Sequence, residues 1–462
     1  MTENSILSGA DNAPTGRFHL KAIFVASMGF FTDAYDLFAI STALPLIVFA
    51  FNVTNSFLIG LVGAAVLIGA VIGALTFGRI GDIMGRKYVY GIEMVILVVF
   101  ALVSAFSTNI YMLIITRFLL GIGIGGDYPI SSTIMSEYSN VKSRGKMVQT
   151  VFAMQGFGLL LGAVMGLIAI KTMPVDYAWR FMLGFGAIPA ASVIYLRRKI
   201  KESPRYSLQT KGDAAAAASA VEDITHKKIN VDEKTRKIEK VSFKKYIPYL
   251  IGTAGSWFLF DMAFYGTSIN NSLVFSHIGY GSIALVSSTA AILSAYNTAI
   301  GNIIIAAAFE IPGYWIAFGL IDKVGRKSLQ WIGFAVMGIL YLIFAIEYAP
   351  LKADIPLFIG LYGISFLFGN IGPNSTTFIL PTELFPTQIR TTAHGISAGS
   401  GKAGAAIFTF LVPTIIASLG LSGLFSILTS LAFIAVVITF VFIKETKKQA
   451  LETTSAIKNT KA

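Results

Sequence analysis

The run Asp82-Ile-Met-Gly-Arg-Lys87 lies between two long apolar segments, and a second version, Asp322-Lys-Val-Gly-Arg-Lys327, lies between two others 240 positions later. Charged runs with a glycine suit the short turns between long helices. In the whole chain of 462 residues, 55% are hydrophobic and 13% are charged, against about 25% charged residues in a typical soluble protein. The sequence therefore predicts a helical membrane protein with an internal repeat.

A second repeat supports the first. Glu137 precedes Arg144 by seven residues, and Glu383 precedes Arg390 by seven residues, 246 positions later. Two independent repeats at nearly one offset predict two parallel halves of similar structure. In membrane transporters such repeats place the substrate site between the halves, near the middle of the membrane.

Twelve membrane spans are predicted, which makes this an all-α membrane protein of two pseudo-symmetric six-helix bundles. The bundles occupy residues 1–198 and 243–446, with a cytoplasmic linker carrying short surface helices at 199–242 and a cytoplasmic tail at 447–462. The spans lie near 20–50, 57–79, 87–106, 110–138, 145–170, 178–198, 245–275, 284–317, 328–348, 355–383, 389–418 and 421–443.

The positive charges follow the predicted topology. Of the Lys and Arg residues, 14 lie between Arg197 and Lys245, and the alternate loops hold only two. This is the positive-inside pattern, which places both termini and the linker in the cytoplasm. The net charge of +12 is thereby explained without a nucleic-acid partner.

Several other classes of function lack support in the sequence. The chain has no cysteine, and its four histidines do not cluster, so no metal site is expected. A Walker-type Gly-Lys-Ser/Thr run and a nucleophile constellation are both missing, so we expect neither ATP-driven transport nor an enzyme, and no cofactor.

His394 is expected to be a packed polar residue. The glycines at 121, 123, 125 and 126 lie inside span 4, where they let helices approach closely.

Carboxylates inside the spans point to a polar path. Asp127 lies in the middle of span 4, where an ionised carboxylate costs about 3 kcal/mol. In span 7, Trp257, Asp261 and Tyr265 are spaced at i, i+4 and i+8, so they share one helix face. They can present an indole N–H, a carboxyl group and a phenol to one cavity. The two aromatic residues alone could equally be packing residues, and Asp261 favours the functional interpretation.

Span 1 carries two carboxylates on one face, Asp33 and Asp36. Two neighbouring carboxylates in a low dielectric should not both be ionised, which suits a proton carrier. The alternative is that one of them pairs structurally with Arg117 or Lys402.

Three further charged residues lie inside spans. We expect Arg117 to be the buried partner of a carboxylate, with Asp127 or Asp33 favoured. Glu310, near Pro312, is expected to have a structural role. Glu93 is open between a proton relay and a packing partner.

The repeated turns are predicted to form a gate on the cytoplasmic side. Arg86 or Arg326 would pair with an acidic residue at the end of a neighbouring helix. The alternative is that the turns only anchor the positive-inside topology. The gate set comprises Asp82, Arg86, Glu137, Arg144, Asp322, Arg326, Glu383 and Arg390.

Several runs resemble the major facilitator superfamily over nearly the whole chain. Gly78-Arg-Ile-Gly-Asp-Ile-Met-Gly-Arg-Lys87 resembles its signature between spans 2 and 3, and Arg117-Phe-Leu-Leu-Gly-Ile-Gly-Ile-Gly resembles its span-4 pattern. Lys201-Glu-Ser-Pro-Arg-Tyr206 and Pro381-Thr-Glu-Leu-Phe-Pro-Thr-Gln-Ile-Arg390 resemble sugar-porter-type loops.

Four narrower runs resemble the phosphate:proton symporter family. They are Gly29-Phe-Phe-Thr-Asp-Ala-Tyr-Asp-Leu-Phe38, Gly125-Gly-Asp-Tyr-Pro-Ile-Ser-Ser-Thr-Ile-Met-Ser-Glu137, Ser256-Trp-Phe-Leu-Phe-Asp-Met-Ala-Phe-Tyr-Gly266 and Gly372-Pro-Asn-Ser-Thr-Thr-Phe-Ile-Leu-Pro-Thr-Glu383. The resemblance implies a phosphate shell of Tyr128, Gln155, Trp257, Asp261, Tyr265 and Asn374, with Lys402 nearby. It also implies proton coupling through Asp33, Asp36, Asp127 and Glu93, with Arg117 beside them.

The sequence thus predicts a secondary transporter in the cell membrane that imports inorganic phosphate with protons by alternating access. Its partners would be phosphate, protons and the lipid bilayer, with no obligate protein partner. One alternative is a proton-coupled porter for a sugar or a small organic acid. A second is a phosphate sensor that does not transport.

Overall fold

A computed structural model describes residues 3–229, 241–280 and 287–456. Within these ranges the chain is helical and contains no strand. Three predicted features lie outside the described residues: the linker segment 230–240, the start of span 8 near 284, and the tail from residue 457.

The first six spans form the N-terminal half. Side chains of Asn55 and Asn109 start two of the helices, because each accepts a hydrogen bond from a free backbone N–H of the first turn, at 2.8 and 2.9 Å. The helices are Arg17–Ala50, Ser56–Met84, Arg86–Val89 with Ile92–Ala105, Ile110–Tyr138, Arg144–Thr172, and Val175–Phe185 with Ala187–Arg198.

The C-terminal half repeats this arrangement with more irregular helices. Spans 8 and 10 each contain a π-helical turn, at Ala306–Glu310 and Asn370–Asn374, a feature that often marks functional sites. The helices are Ile247–Ile269 with Asn271–His277, Ser288–Ile305 with Ile311–Leu320, Arg326–Ile346, Ile355–Gly369 with Ser375–Leu384, and Arg390–Phe442.

The described helices fit the predicted twelve spans. Ten of them are long and apolar enough to cross a membrane. One of the ten, Arg390–Phe442, is interrupted at Gly420, whose φ of 68° is not helical, so it makes two passes. The helix Ile247–Ile269, which is not among the ten, occupies the predicted position of the remaining span, span 7. The all-α membrane fold is confirmed, and the predicted domain boundaries stay predictions.

Glycines set the spacing between spans 2 and 4. A Cβ atom added at Gly121 or Gly125 would lie 2.0 Å from a backbone oxygen of span 2, on Val66 and Ala70 respectively. Only glycine permits so close an approach. The expectation that these glycines serve helix packing is therefore confirmed for the pair.

The two halves meet along spans 2 and 11 and along spans 5 and 8. At one end of the bundle lie the short helices Pro204–Gln209 and Ala214–Thr225 of the linker. We call this end the linker face. An N-terminal helix, Glu3–Asp11, which the sequence did not predict, packs there with buried Ile6 and Leu7 against Val221.

Candidate functional site

A buried ion pair forms the centre of the site. Lys402 Nζ in span 11 lies 3.0 Å from Asp261 Oδ2 in span 7. The ammonium group also lies over two tyrosine rings, 4.0 Å from the centre of Tyr265 and 4.5 Å from that of Tyr128. The hydroxyl groups of these tyrosines are 3.3 Å apart. Because Tyr128 belongs to the N-terminal half and the others to the C-terminal half, the site lies between the halves.

Aromatic rings form one wall of the site. The Trp257 ring lies 6.1 Å from Tyr128, 6.4 Å from Phe378 and 5.5 Å from His394, measured between ring centres. His394 is fully buried and its Nε2 contacts the backbone oxygen of Phe378 at 3.1 Å. The prediction that His394 is a packed polar residue is confirmed.

An amide group of span 10 is connected to this site through Tyr314, which interacts electrostatically with Asp261 and Tyr265. Asn374 Nδ2 donates to the hydroxyl of Tyr314 at 2.8 Å and to Asn370 Oδ1 at 2.7 Å. Gln155 is buried, and its Nε2 has no hydrogen-bond partner among the described residues. Tyr314 in span 8 was missed by the sequence analysis, because a lone tyrosine in an apolar helix carries no signal that separates it from packing.

We call Tyr128, Trp257, Asp261, Tyr265, Asn374 and Lys402 the central cluster. Each of them is only 1–3% exposed. Apart from an interaction of the carboxylate with the Trp257 side chain, Asp261 Oδ1 has no hydrogen-bond partner in the described part of the chain, although Oδ2 is paired. The cluster thus offers a cation, several N–H and O–H donors, and one free acceptor. That set suits a small oxyanion which both accepts and donates hydrogen bonds.

A second charged group lies in the N-terminal half, around an arginine that the sequence analysis missed. Arg197 at the end of span 6 binds Asp127 through two nitrogens, at 2.6 and 2.9 Å, and binds Glu93 Oε1 at 2.7 Å. We call these three residues the Arg197 cluster. Arg197 begins the basic stretch before the linker, so the sequence alone does not distinguish it from the residues of the positive-inside pattern. The two carboxylates in spans 3 and 4 were the signal that a buried cation was needed.

Asp33 lies between the two clusters. Both of its carboxylate oxygens are buried and lack a hydrogen-bond partner among the described residues. It interacts electrostatically with Asp127 and Arg197 on one side and with Tyr128 and Lys402 on the other. Asp33 therefore interacts electrostatically with residues of both clusters.

The prediction that Arg117 pairs with Asp127 or Asp33 was wrong. Its Nη2 donates to the backbone oxygen of Asp36 at 3.0 Å, whereas Asp127 is bound by Arg197. Asp36 has a buried Oδ2 without a partner in the described chain. This geometry favours the structural alternative for Asp36, since Arg117 and Asp36 tie span 4 to span 1.

On the linker face, a buried network joins the halves. Arg86 lies 3.3 Å from Asp82 and 3.2 Å from Glu137, and it donates to the backbone oxygen of Thr387 at 2.6 Å. Arg390 of the C-terminal half lies 2.7 Å from Glu137. The predicted pairing of Arg86 with an acidic residue on a neighbouring helix is present.

The C-terminal half repeats this network. Arg326 lies 2.8 Å from Asp322 and 2.8 Å from Glu383. Asp322 also reaches the other half, because its Oδ2 accepts a hydrogen bond from the backbone N–H of Lys146 at 2.9 Å. Contacts between the halves therefore run in both directions across the linker face.

Two glutamates missed by the sequence analysis complete the repeat. Glu202 and Glu445 lie beside Gly85 and Gly325, which both have a φ of 110°. Two residues after each glycine, a backbone N–H donates to the carboxylate at 3.1 Å. Each glutamate thus holds the start of a helix, span 3 or span 9, where free N–H groups favour an anion.

The repeat is broken at one position of the predicted gate set. Arg144 occupies the place equivalent to Arg390 but forms no ion pair with Glu383. It donates to the backbone oxygen of Gln449 at 2.8 Å and lies 3.3 Å from Asp11. Both chain ends therefore attach to the linker face at Arg144.

The opposite face is open between the halves. A vestibule of about 360 Å³ extends there. None of the six central-cluster residues lines this vestibule, and all six are buried, so the cluster itself is closed off from both faces. Residues of both halves line the vestibule, among them Leu44, Pro45, Ile59, Asn270, His277 and Ile416.

Comparison with known proteins gives one consistent family. The sugar (and other) transporter family matches residues 22–457. Inorganic phosphate transporter 1-11 of Oryza sativa subsp. japonica is 37% identical, over 88% of this chain and 81% of that protein. Probable inorganic phosphate transporter 1-6 of Arabidopsis thaliana is 37% identical, over 97% and 96%.

Solved structures agree on the fold. The proton:xylose symporter XylE bound to 6-bromo-6-deoxy-D-glucose, a major facilitator superfamily protein, matches with a TM-score of 0.76 at 21% identity, over 94% of this chain and 98% of that chain. The inward-open conformation of XylE from E. coli matches with a TM-score of 0.66 at 21% identity, over 94% and 99%. The predicted major facilitator fold is confirmed.

Proposed function

This chain belongs to the sugar (and other) transporter family, and we propose that it carries inorganic phosphate together with protons by alternating access. As a member of a transporter family it is not an enzyme. The observation that carries the proposal is the buried Lys402–Asp261 pair, which lies against Tyr128 of the other half. Its relatives in rice and Arabidopsis are named as inorganic phosphate transporters, which supports phosphate as the substrate.

Phosphate would bind in the central cluster. Lys402 supplies the positive charge, and the tyrosine, indole and amide groups supply donors to the phosphate oxygens. The free Asp261 Oδ1 would accept a hydrogen bond from a phosphate hydroxyl. A single lysine shared with a carboxylate holds an anion less firmly than a bidentate arginine would. That balance suits a carrier, which must also release its cargo.

Proton coupling would run through Asp33. An ionised Asp33 repels an anion at Lys402 and Tyr128, with which it interacts. Protonation removes that repulsion, so a proton and phosphate would bind more readily together than apart. The Arg197 cluster would provide the neighbouring carboxylates that exchange the proton.

Alternating access would use the linker-face network. We propose that the linker face is cytoplasmic, as the positive-inside pattern indicates, and that the protein resides in the plasma membrane. The vestibule then opens to the exterior. Entry of phosphate and a proton from that side would be followed by separation of Arg390 from Glu137 and of Lys146 from Asp322, which opens the cytoplasmic side.

The test is exchange of labelled phosphate in proteoliposomes, followed by uptake driven by an acidic exterior. The folded protein should exchange phosphate, and Asp261→Asn should lose acid-driven uptake at least tenfold, whereas the exposed Asp176→Asn should behave as wild type. Competition by sugars or organic acids in place of phosphate would support the alternative porters. Binding without exchange would support a sensor and overturn the proposal.

A further inference from the structure

Glu310 is a buried carboxyl group that none of the clusters above includes. It lies in span 8 at the end of the π-helical turn Ala306–Glu310 and is 4% exposed. Its backbone oxygen accepts from Asn370 Nδ2 at 3.4 Å. Its carboxylate oxygens have no hydrogen bond or ion pair with any residue that the structure describes. No contact of the carboxyl group with a described residue therefore supports the structural role expected for Glu310.

The side chain faces a small cavity. The cavity has a volume of about 20 Å³, which is enough for roughly one water molecule. Its polar wall consists of Glu310, Asn271, Asn302 and Ser268. Asn271 Nδ2 donates to Asn302 Oδ1 at 2.7 Å, so these amides are held in place. A polar, water-sized space beside a carboxyl group without a partner among the described residues suits exchange of a proton with water.

Among the residues that the structure describes, no positive charge compensates Glu310. The titratable groups that interact with it are two tyrosines, Tyr314 on its own helix and Tyr362 from span 10. Spans 1 and 5 contribute apolar side chains to the cavity, Phe38 from span 1 and Leu159 and Ala163 from span 5. In a low dielectric an unpaired carboxylate is costly, so the protonated acid is the form that this environment favours.

The cavity lies between the vestibule and the central cluster. Asn271 lines the cavity, and its neighbour Asn270 lines the vestibule. On the other side, the Phe38 ring stacks on Tyr265 with 5.4 Å between ring centres. The Phe38 ring therefore separates a proton held at Glu310 from Tyr265 of the proposed phosphate site.

We propose that Glu310 is a second proton-binding site of the transport cycle, which takes a proton from vestibule water through this cavity. The proposal rests on the proposed function. A hydronium ion in the vestibule gives its proton to a Glu310 oxygen and leaves a water molecule behind. The reverse step returns the proton to water when the cytoplasmic side opens. The N-terminal half would then carry one proton near Asp33 and the C-terminal half another at Glu310.

The experiment compares Glu310→Gln with Glu347→Gln, a matched change at an exposed glutamate. Proteoliposomes report proton influx with a pH-sensitive dye and phosphate influx with a label. The ratio of protons to phosphate should fall by one in Glu310→Gln and stay at the wild-type value in Glu347→Gln. An unchanged ratio in a Glu310→Gln protein that still exchanges phosphate overturns the proposal. Loss of exchange in the wild type itself would instead overturn the proposed function.

A spectroscopic measurement covers the case in which Glu310→Gln does not fold. Glu310→Asp keeps a carboxyl group but shortens the side chain, so it should shift the infrared carbonyl band of a protonated carboxyl group relative to the wild type. The band should respond to the pH of the medium on the vestibule side. A spectrum that is identical in the two proteins means that Glu310 is not protonated, and the proposal fails.

Discussion

Arg390 Nη1 of the C-terminal half lies 2.7 Å from Glu137 Oε1 of the N-terminal half, and both side chains are almost fully buried. The equivalent pair in the other direction, Arg144 with Glu383, is not formed, because Arg144 is engaged by the two chain ends. In the described part of the chain, this ion pair and the backbone contacts of Arg86 and Asp322 join the two halves at the linker face.

Glu137→Gln should open the linker face. Removing one partner of a buried ion pair costs about 3–5 kcal/mol, and here the cost falls on the closed arrangement, in which Arg86 and Arg390 both need Glu137. The chain has no cysteine, so a single reporter, Ser136→Cys, can be labelled without background. Its labelling from the linker face should rise at least tenfold.

The control for this measurement is Asp223→Asn. Asp223 pairs with Lys201 at 2.8 Å, but both side chains are about half exposed, and such surface pairs contribute little. Labelling in this variant should equal that of the wild type. Equal labelling in Glu137→Gln and Asp223→Asn would show that the buried pair does not hold the gate.

Gly29→Ala should disrupt the Arg197 cluster. A Cβ atom at Gly29 would lie 1.7 Å from Arg197 Nη2 and 2.3 Å from Asp127 Oδ2, so the bidentate pair must separate. Overpacking a buried site costs about 1–3 kcal/mol. We expect a lower thermal stability and a loss of acid-driven uptake. Gly360→Ala in span 10 meets nothing within 4 Å and should leave both unchanged, and a similar response of the two variants would contradict the role of the cluster.

Asp261 and Lys402 should behave as one unit in a double-mutant cycle. Each single change, Asp261→Asn or Lys402→Gln, leaves the other charge buried without its partner. The double variant removes both charges together, so its loss of stability should be smaller than the sum of the single losses, by about 0.5–3 kcal/mol. Thermal unfolding in detergent gives the four values. Additive losses would mean that the two charges do not interact.

The ion pair between Glu452 of the tail and Arg205 of the linker should be independent of pH in the physiological range. The Glu452 side chain is 38% exposed, so burial opposes ionisation of its carboxyl group only in part, and the charge of Arg205, 3.0 Å away, lowers the pKa of Glu452 to about 2. Because the folded-state pKa lies below the ordinary value of 4.5, the contact is fully present above that value and is lost only as the pH falls towards 2.

Protease protection of residues 451–456 measures this contact. Protection should stay constant between about pH 8 and pH 5, and Glu452→Gln should weaken it at every pH in that range. Protection that falls on mild acidification would show that another titrating group attaches the tail.

The sequence by itself determined the membrane class and the family, and it predicted twelve spans in two halves, which the described helices fit. These properties follow from composition, from repeats and from motifs. All three can be found along the sequence without knowing which helices touch each other. It also indicated Asp261, Tyr265 and Tyr128 as a set, because two of them share a helix face and all three lie in recognised runs. The pairing of Arg86 with a neighbouring carboxylate likewise followed from the repeated turns.

Only the tertiary structure decided which charges meet. In the structure, Asp127 pairs with Arg197, whereas Arg117 contacts the backbone of Asp36. Asp33 lies between the two clusters, and Glu310 lies beside a cavity without an ion pair to a described residue. The physical reason is that a membrane helix is apolar towards lipid and towards its neighbours alike, so hydropathy does not reveal which face turns inward. Ion pairs between distant helices depend on that rotation, and packing alone sets it.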